Sequence, residues 1–110
     1  MATFVLAYRS PKGYTPGSPE TIAAWTAWFE GMGANLVDVG KPAVDRATLG
    51  NCDTAATELG GFSLISAPDL KAAVALAEGC PHLGRGGGVE IGELGEVPAP
   101  ETATSAEGSV

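Results

Sequence analysis

His82 is the one imidazole in a chain of 110 residues, and imidazole is the side chain best matched to proton transfer near neutral pH. It lies in "GCPHLGRGGGVEIGEL", residues 79–94, among residue types that favour turns. Two roles are open to it there: a contact or proton shuttle at the rim of a pocket, or a residue of a plain connector outside the core. Asp38 is the second candidate. It interrupts the apolar run "LVDVG", so it either faces a pocket, where desolvation would raise its pKa, or turns to water at a sheet edge. Glu90, in "VEI", poses the same choice, with a structural hydrogen bond as its alternative. Tyr8 and Arg9 close the run "TFVLAYR" and offer a hydroxyl and a cation to a ligand, although Arg9 could equally pair with a local carboxylate. The candidate ligand contacts are therefore Tyr8, Arg9, Asp38 and His82, of which His82 and Asp38 could also move a proton.

Other chemistries fail on residue type. A single histidine assembles no Ser-His-Asp or Cys-His arrangement. In "GRGGG", Gly84 and Gly86 are followed by Val89 where the third glycine of a dinucleotide fingerprint would stand. That run also enters a strand, whereas phosphate binding needs it to open a helix, so a connector or bulge is expected. Cys52 and Cys80, with no Cys-x-x-Cys spacing and one histidine, cannot build a conventional zinc site. No metal and no cofactor are expected.

Composition narrows the class. With 45% hydrophobic and 17% charged residues, the chain reads as one globular domain rather than a disordered one. Its 13 acidic residues against 6 basic ones give a net charge of -7, which repels a phosphate backbone and argues against nucleic-acid binding. The opening "MATFVLAYRS" is too short and wrongly flanked for a signal peptide or a membrane span. A cytoplasmic protein with reduced thiols is expected.

The elements that must position these residues follow from local pattern. "TFVLAYR" is a β-branched and aromatic strand, and "SPKGYTPGSP" is the loop after it. Ser18 as N-cap, Pro19 at the first helical position and Glu20 near the positive end of the dipole begin a helix. Ile22, Trp25, Phe29 and Met32 recur on one face of it, with Trp28 at the edge, and Gly33 suits its C-terminus. "NLVDVGKPAV" is an edge strand that Gly40 and Pro42 distort. "VDRATLGNCDTAATEL" has no clean period, and "GGFSLISA", residues 60–67, is the third strand. A second helix has Asp69 in its first turn, Leu70, Ala73, Val74 and Ala77 on one face, and Gly79 at its end in a positive-φ position before Pro81. "GGVEIGEL" is the last strand. Residues 96–110, acidic and without aromatics, are expected to form a flexible tail dispensable for folding.

The order strand, helix, strand, strand, helix, strand gives a ferredoxin-like α+β fold: a split βαβ with one antiparallel sheet and both helices on one face, occupying residues 1–95. Strands that are apolar on both faces leave the second face of the sheet to be covered, and a two-fold homodimer would cover it.

The stretch "LGGFSLISAPDLKAAVALAEGCPHLGRGGGVEIGEL" resembles the C-terminal half of the YCII-related, or DGPF, family, with its Gly-Gly/aromatic strand, D-L-x-x-A helix, Cys-Pro and glycine-rich approach to a V-E-V strand. The W-x-x-W-F helix fits the same pattern, so the resemblance spans residues 2–95. It implies a ferredoxin-like fold that dimerises into an α+β barrel. Where many members carry Asp-Gly-Pro-Phe this chain has "GNCDTAATE", keeping only Asp53, and the early histidine of the His-Asp pair ascribed to some relatives is absent.

Function on this reading is binding of a compact, aromatic or oxygenated ligand by a dimer in a sheet-helix pocket. A cofactor-free isomerase, lyase or oxygenase that uses His82 or Asp38 for proton transfer is the alternative, and a regulatory protein-interaction module is a third.

Overall fold

The structure is a computed structural model and describes residues 1–14 and 17–97. The expected tail, from residue 98 onward, lies outside the described residues. Four strands form one sheet: β1 (Ala2–Pro11), β2 (Leu36–Pro42), β3 (Thr57–Ala67) and β4 (Gly88–Glu93), in the order β2-β3-β1-β4 with every neighbouring pair antiparallel. Helix α1 (Pro19–Met32) joins β1 to β2, and α2 (Leu70–Ala77) joins β3 to β4. This is the ferredoxin-like α+β architecture.

Alternation in the central strands decides which face is covered. Phe4, Leu6, Tyr8 and Ser10 of β1 are buried, as are Gly61, Ser63, Ile65 and Ala67 of β3. Because successive side chains point to opposite faces, these residues share the helix side of the sheet. Met32 of α1 and Ala73 and Ala77 of α2 complete the same core. On the other face lie Val5 and Ala7 of β1 and Phe62 and Leu64 of β3, half-buried or exposed.

Both helices start on side-chain caps. Ser18 Oγ accepts from the Thr21 amide at 3.1 Å, and Asp69 Oδ1 accepts from the Ala72 amide at 2.8 Å, each satisfying a donor that the first turn leaves open. Asp69 thus stands just before α2 rather than inside it. The face that α2 buries is narrower than its apolar spacing suggests. Ala73 and Ala77 go under, while Leu70 and Val74 remain 49% and 38% exposed, since the small alanines are what let the helix lie close to the sheet. Gly79 is not in the positive-φ region, contrary to its expected role as a left-handed terminator. A side chain there is disfavoured by packing instead, because a Cβ would stand 3.0 Å from the Trp28 ring, which would have to give way.

The third strand begins at Thr57, three residues earlier than its apolar pattern indicates. Thr57, Glu58 and Leu59 are drawn into the sheet by pairing with Pro11, Ser10 and Arg9, a long-range contact with no local period to announce it. Between Tyr8 and Arg9 the register slips, leaving Gly60 as the extra residue of a bulge. Gly61 beside it has φ 140° and passes so close to β2 that a Cβ would lie 2.5 Å from the Lys41 carbonyl oxygen. Only glycine fits both constraints.

Candidate functional site

The bulge and the aromatic face of α1 enclose a cavity of about 440 Å³ between α1, the sheet and the turn that follows α2. Its sheet wall carries Tyr8 and Ser10 from β1 and Gly60 and Gly61 from β3, and its helix wall carries Trp25 and Phe29. The helix spacing therefore does more than fill a core. Among the α1 residues only Met32 is buried, Ile22 is 55% exposed, and Trp25, Trp28 and Phe29 are half-buried, with the Trp25 and Phe29 rings roofing a space instead of closing on the sheet. Trp25 sits edge-on to Tyr8 at 4.9 Å and to His82 at 5.0 Å between ring centroids. Trp28 is anchored away from the cavity by donating its indole N–H to the Leu76 carbonyl at 3.1 Å.

His82 is carried on a short 3-10 turn, Pro81–Gly84, which Pro81 opens and the glycines after it allow to turn back into β4. Expected at a rim outside the core, it is in fact only 3% exposed. Aromatic rings of β1, α1 and the loop after β1 surround it, and the compact turn folds it inward. Its Nε2 lies 3.0 Å from Ser10 Oγ, also buried. Two glycines make room for this pair. A Cβ at Gly60 would collide with Ser10 Oγ, and one at Gly87 would stand 3.1 Å from the His82 ring and 2.6 Å from the Arg9 carbonyl oxygen. Burial, with the Arg85 cation adding to it, pushes the His82 pKa below its ordinary value, so the ring is neutral near pH 7.

A second polar line crosses the sheet wall. Tyr8 Oη donates to Ser63 Oγ at 2.7 Å, and Ser63 Oγ donates in turn to the Val39 carbonyl at 2.7 Å. Having given its proton to Ser63, the Tyr8 oxygen keeps acceptor capacity at the cavity wall. Its pKa is raised, chiefly because burial penalises the phenolate. Tyr14, from the loop after β1, packs edge-on to His82 at 5.0 Å. Among the described residues Tyr14 Oη and His82 Nδ1 are buried side-chain atoms with no hydrogen-bond partner. Such a group costs about 1–3 kcal/mol when left unsatisfied.

The other expected contacts stand elsewhere. Asp38 is exposed and does not itself line the cavity, and its Oδ1 accepts from the Gly40 amide at 2.8 Å, closing a turn in the irregular part of β2. Arg9 points to the opposite face of the sheet. Among the described residues it meets no carboxylate, and it donates to the Thr57 and Asp53 carbonyls at 3.0 and 3.1 Å, on the wall of a smaller hollow of about 200 Å³. Glu90, opposite Ala7, is exposed on that same face. Of the four ligand contacts expected from sequence, the cavity brings together Tyr8 and His82.

Sequence reasoning passed over Ser10, Tyr14, Ser63 and Arg46. Ser10 had a signal: it continues the even-numbered alternation Phe4, Leu6, Tyr8. Arg46 had none, since it comes from the segment without period. Its guanidinium binds the Leu59 carbonyl at 2.8 Å, the Ala43 carbonyl at 2.7 Å and Glu58 Oε2 at 3.1 Å, tying that segment to β3 at the cavity mouth. Among the described residues no group of three or more His, Cys, Asp or Glu side chains is gathered as a metal would need.

The fold and this cavity define a ferredoxin-like α+β protein with a pocket between sheet and helix. The structure is similar to that of 5-chloro-2-hydroxyhydroquinone dehydrochlorinase (TftG) from Burkholderia phenoliruptrix AC1100, determined in complex with 2,5-dihydroxybenzoquinone. The TM-score is 0.53 at 22% identity, over 86% of this chain and 95% of that one, a likeness of fold. No family model and no curated protein matches the chain significantly.

Proposed function

We propose that the protein binds a compact, planar, oxygenated molecule in the cavity under α1. The observation that carries this reading is the cavity's make-up: aromatic walls from Trp25, Phe29 and Tyr14, with the polar atoms of Tyr8, Ser10 and His82 set into them. Small-molecule sites have this character, mostly apolar with a few placed polar groups, and volumes in this range. The fold neighbour TftG holds a small oxygenated ring compound, 2,5-dihydroxybenzoquinone, which makes that compound a natural first probe. Calorimetric titration should show saturable binding, and Thr26→Trp should abolish it by filling the cavity from an exposed position on its helix wall. Absence of binding, or binding unchanged in the variant, contradicts the reading.

The contact between Ser10 and His82 favours a second reading, a cofactor-free enzyme in which His82 accepts a proton from the bound molecule. Asp38, exposed and not itself lining the cavity, has no part in it. Membership of the YCII-related family is supported by the motif pattern together with the shared fold. A homodimer built on the uncovered sheet face is supported by Val5, Ala7, Phe62 and Leu64 lying there without a helix over them. No helix among the described residues is long and apolar enough to cross a membrane. A cytoplasmic location fits two free thiols, Cys52 and Cys80.

A further inference from the structure

We propose that Ser10 is the ligand-facing end of a two-residue proton relay, so that the cavity takes a molecule with an acidic hydroxyl, a phenol or an enol, and holds it as the conjugate base. This inference rests on the ligand-binding reading of the cavity.

Three observations carry it. Ser10 and His82 both line the cavity and are held 3.0 Å apart, both buried, with Nε2 directed at Oγ. Gly60 and Gly87 keep room for the two side chains, since a Cβ at either would press on one of them. The hydroxyl can donate and accept at once, whereas the ring offers a single lone pair, so only the serine can link a ligand to the imidazole. In the competent tautomer Nδ1 carries the hydrogen and the Nε2 lone pair receives the Ser10 proton.

The transfer balances without a co-reactant. The ligand O–H bond breaks as its proton moves to Ser10 Oγ, the Ser10 O–H proton moves to His82 Nε2, and the products are a ligand oxyanion and an imidazolium separated by the serine hydroxyl. Protonation occurs at Nε2, so the unpartnered Nδ1–H is the same before and after and adds no new unsatisfied atom. The oxyanion accepts a hydrogen bond from Ser10 and faces the imidazolium across it, and this opposite charge offsets the burial that keeps the His82 ring neutral in the free protein. Trp25 and Tyr14, edge-on to the His82 ring, screen the pair from water. His82 acts through Ser10 and is a positioning residue in this scheme. A ligand lacking an acidic hydroxyl has nothing to give the relay.

The probe is 4-nitrophenol, whose phenolate and phenol forms differ in colour, bound to the full chain at a pH where the free probe is mostly phenol. The wild-type protein should raise the phenolate-to-phenol ratio of bound probe, and Ser10→Ala and His82→Asn should each bind the probe but cut that ratio by about tenfold, equivalent to one pKa unit. Circular dichroism establishes that each variant is folded, and two variants keep the test open if one is not. A bound probe that stays phenol in the wild type, or a phenolate band that survives in a folded Ser10→Ala, overturns the relay while leaving the cavity reading intact. No binding of 4-nitrophenol by the wild type overturns the relay, and no binding of 2,5-dihydroxybenzoquinone either overturns the cavity reading with it.

Discussion

Removing the Ser63 hydroxyl tests the polar line across the sheet wall. Ser63 is fully buried, accepts the Tyr8 proton and donates its own to the Val39 carbonyl, so Ser63→Ala strands a phenolic donor and a strand carbonyl together. A buried donor left without a partner costs about 1–3 kcal/mol. The lower part of that range is expected for Tyr8, whose oxygen adjoins the cavity and can reach water. Tyr8→Phe is gentler, because Ser63 keeps its bond to Val39 and only one hydrogen bond, worth about 0.5–1.5 kcal/mol, is lost. Once Tyr8 is phenylalanine there is no donor to strand, so the double variant should cost less than the sum of the single ones by about 1 kcal/mol. Urea melts of the four proteins at one fixed protein concentration give the cycle. Additive costs, or a Tyr8→Phe more damaging than Ser63→Ala, would refute the reasoning.

Three further outcomes follow from burial and exposure. His82 has a folded-state pKa below its ordinary value of 6.5, so as pH falls through that value the unfolded chain takes up the proton first. The His82 contribution to stability should therefore be level above pH 6.5 and decline below it, and melts of His82→Asn should lose that part of the decline. Cys52 is exposed and Cys80 buried, with burial pushing the Cys80 thiol pKa up, so a thiol reagent should count one group in the native protein and two after denaturation. Light scattering should give close to twice the 11.0 kDa chain mass, and Leu64→Glu, on the uncovered sheet face, should return it to that of one chain.

The elements were largely legible because their signals are local. Ser18, Pro19 and the aromatic spacing place α1, and "TFVLAY" and "GGFSLIS" alternate or run apolar as strands do. What sequence did not show depends on contacts made across the sheet. The start of β3 at Thr57 follows from pairing with Pro11. The bulge at Gly60, which opens space beside Ser10, is a mismatch between two strands and leaves no mark in either one alone. Gly79 had the position of a helix terminator, yet what favours a glycine there is the close approach of the Trp28 ring. Of the site, His82 and Tyr8 were visible by residue type. Their partners Ser10 and Ser63 were not, because a serine in a strand becomes chemically informative only when the fold places an imidazole or a phenol against it. Asp38 drew notice for interrupting an apolar run, and an edge strand with an irregular register was the simpler cause.

The central claim is that the space under α1 receives a small oxygenated ring molecule, and the two indole N–H signals of the protein test it most directly. Trp25 lines the cavity, whereas Trp28 has its indole N–H bonded to the Leu76 carbonyl outside the cavity wall. In a ¹H–¹⁵N NMR titration with 2,5-dihydroxybenzoquinone, the Trp25 indole signal should move saturably together with the amides of Ser10 and Gly60, while the Trp28 indole signal holds nearly still. Signals that do not move at all, or shifts confined to Val5, Ala7 and Leu64 on the opposite face of the sheet, would contradict it.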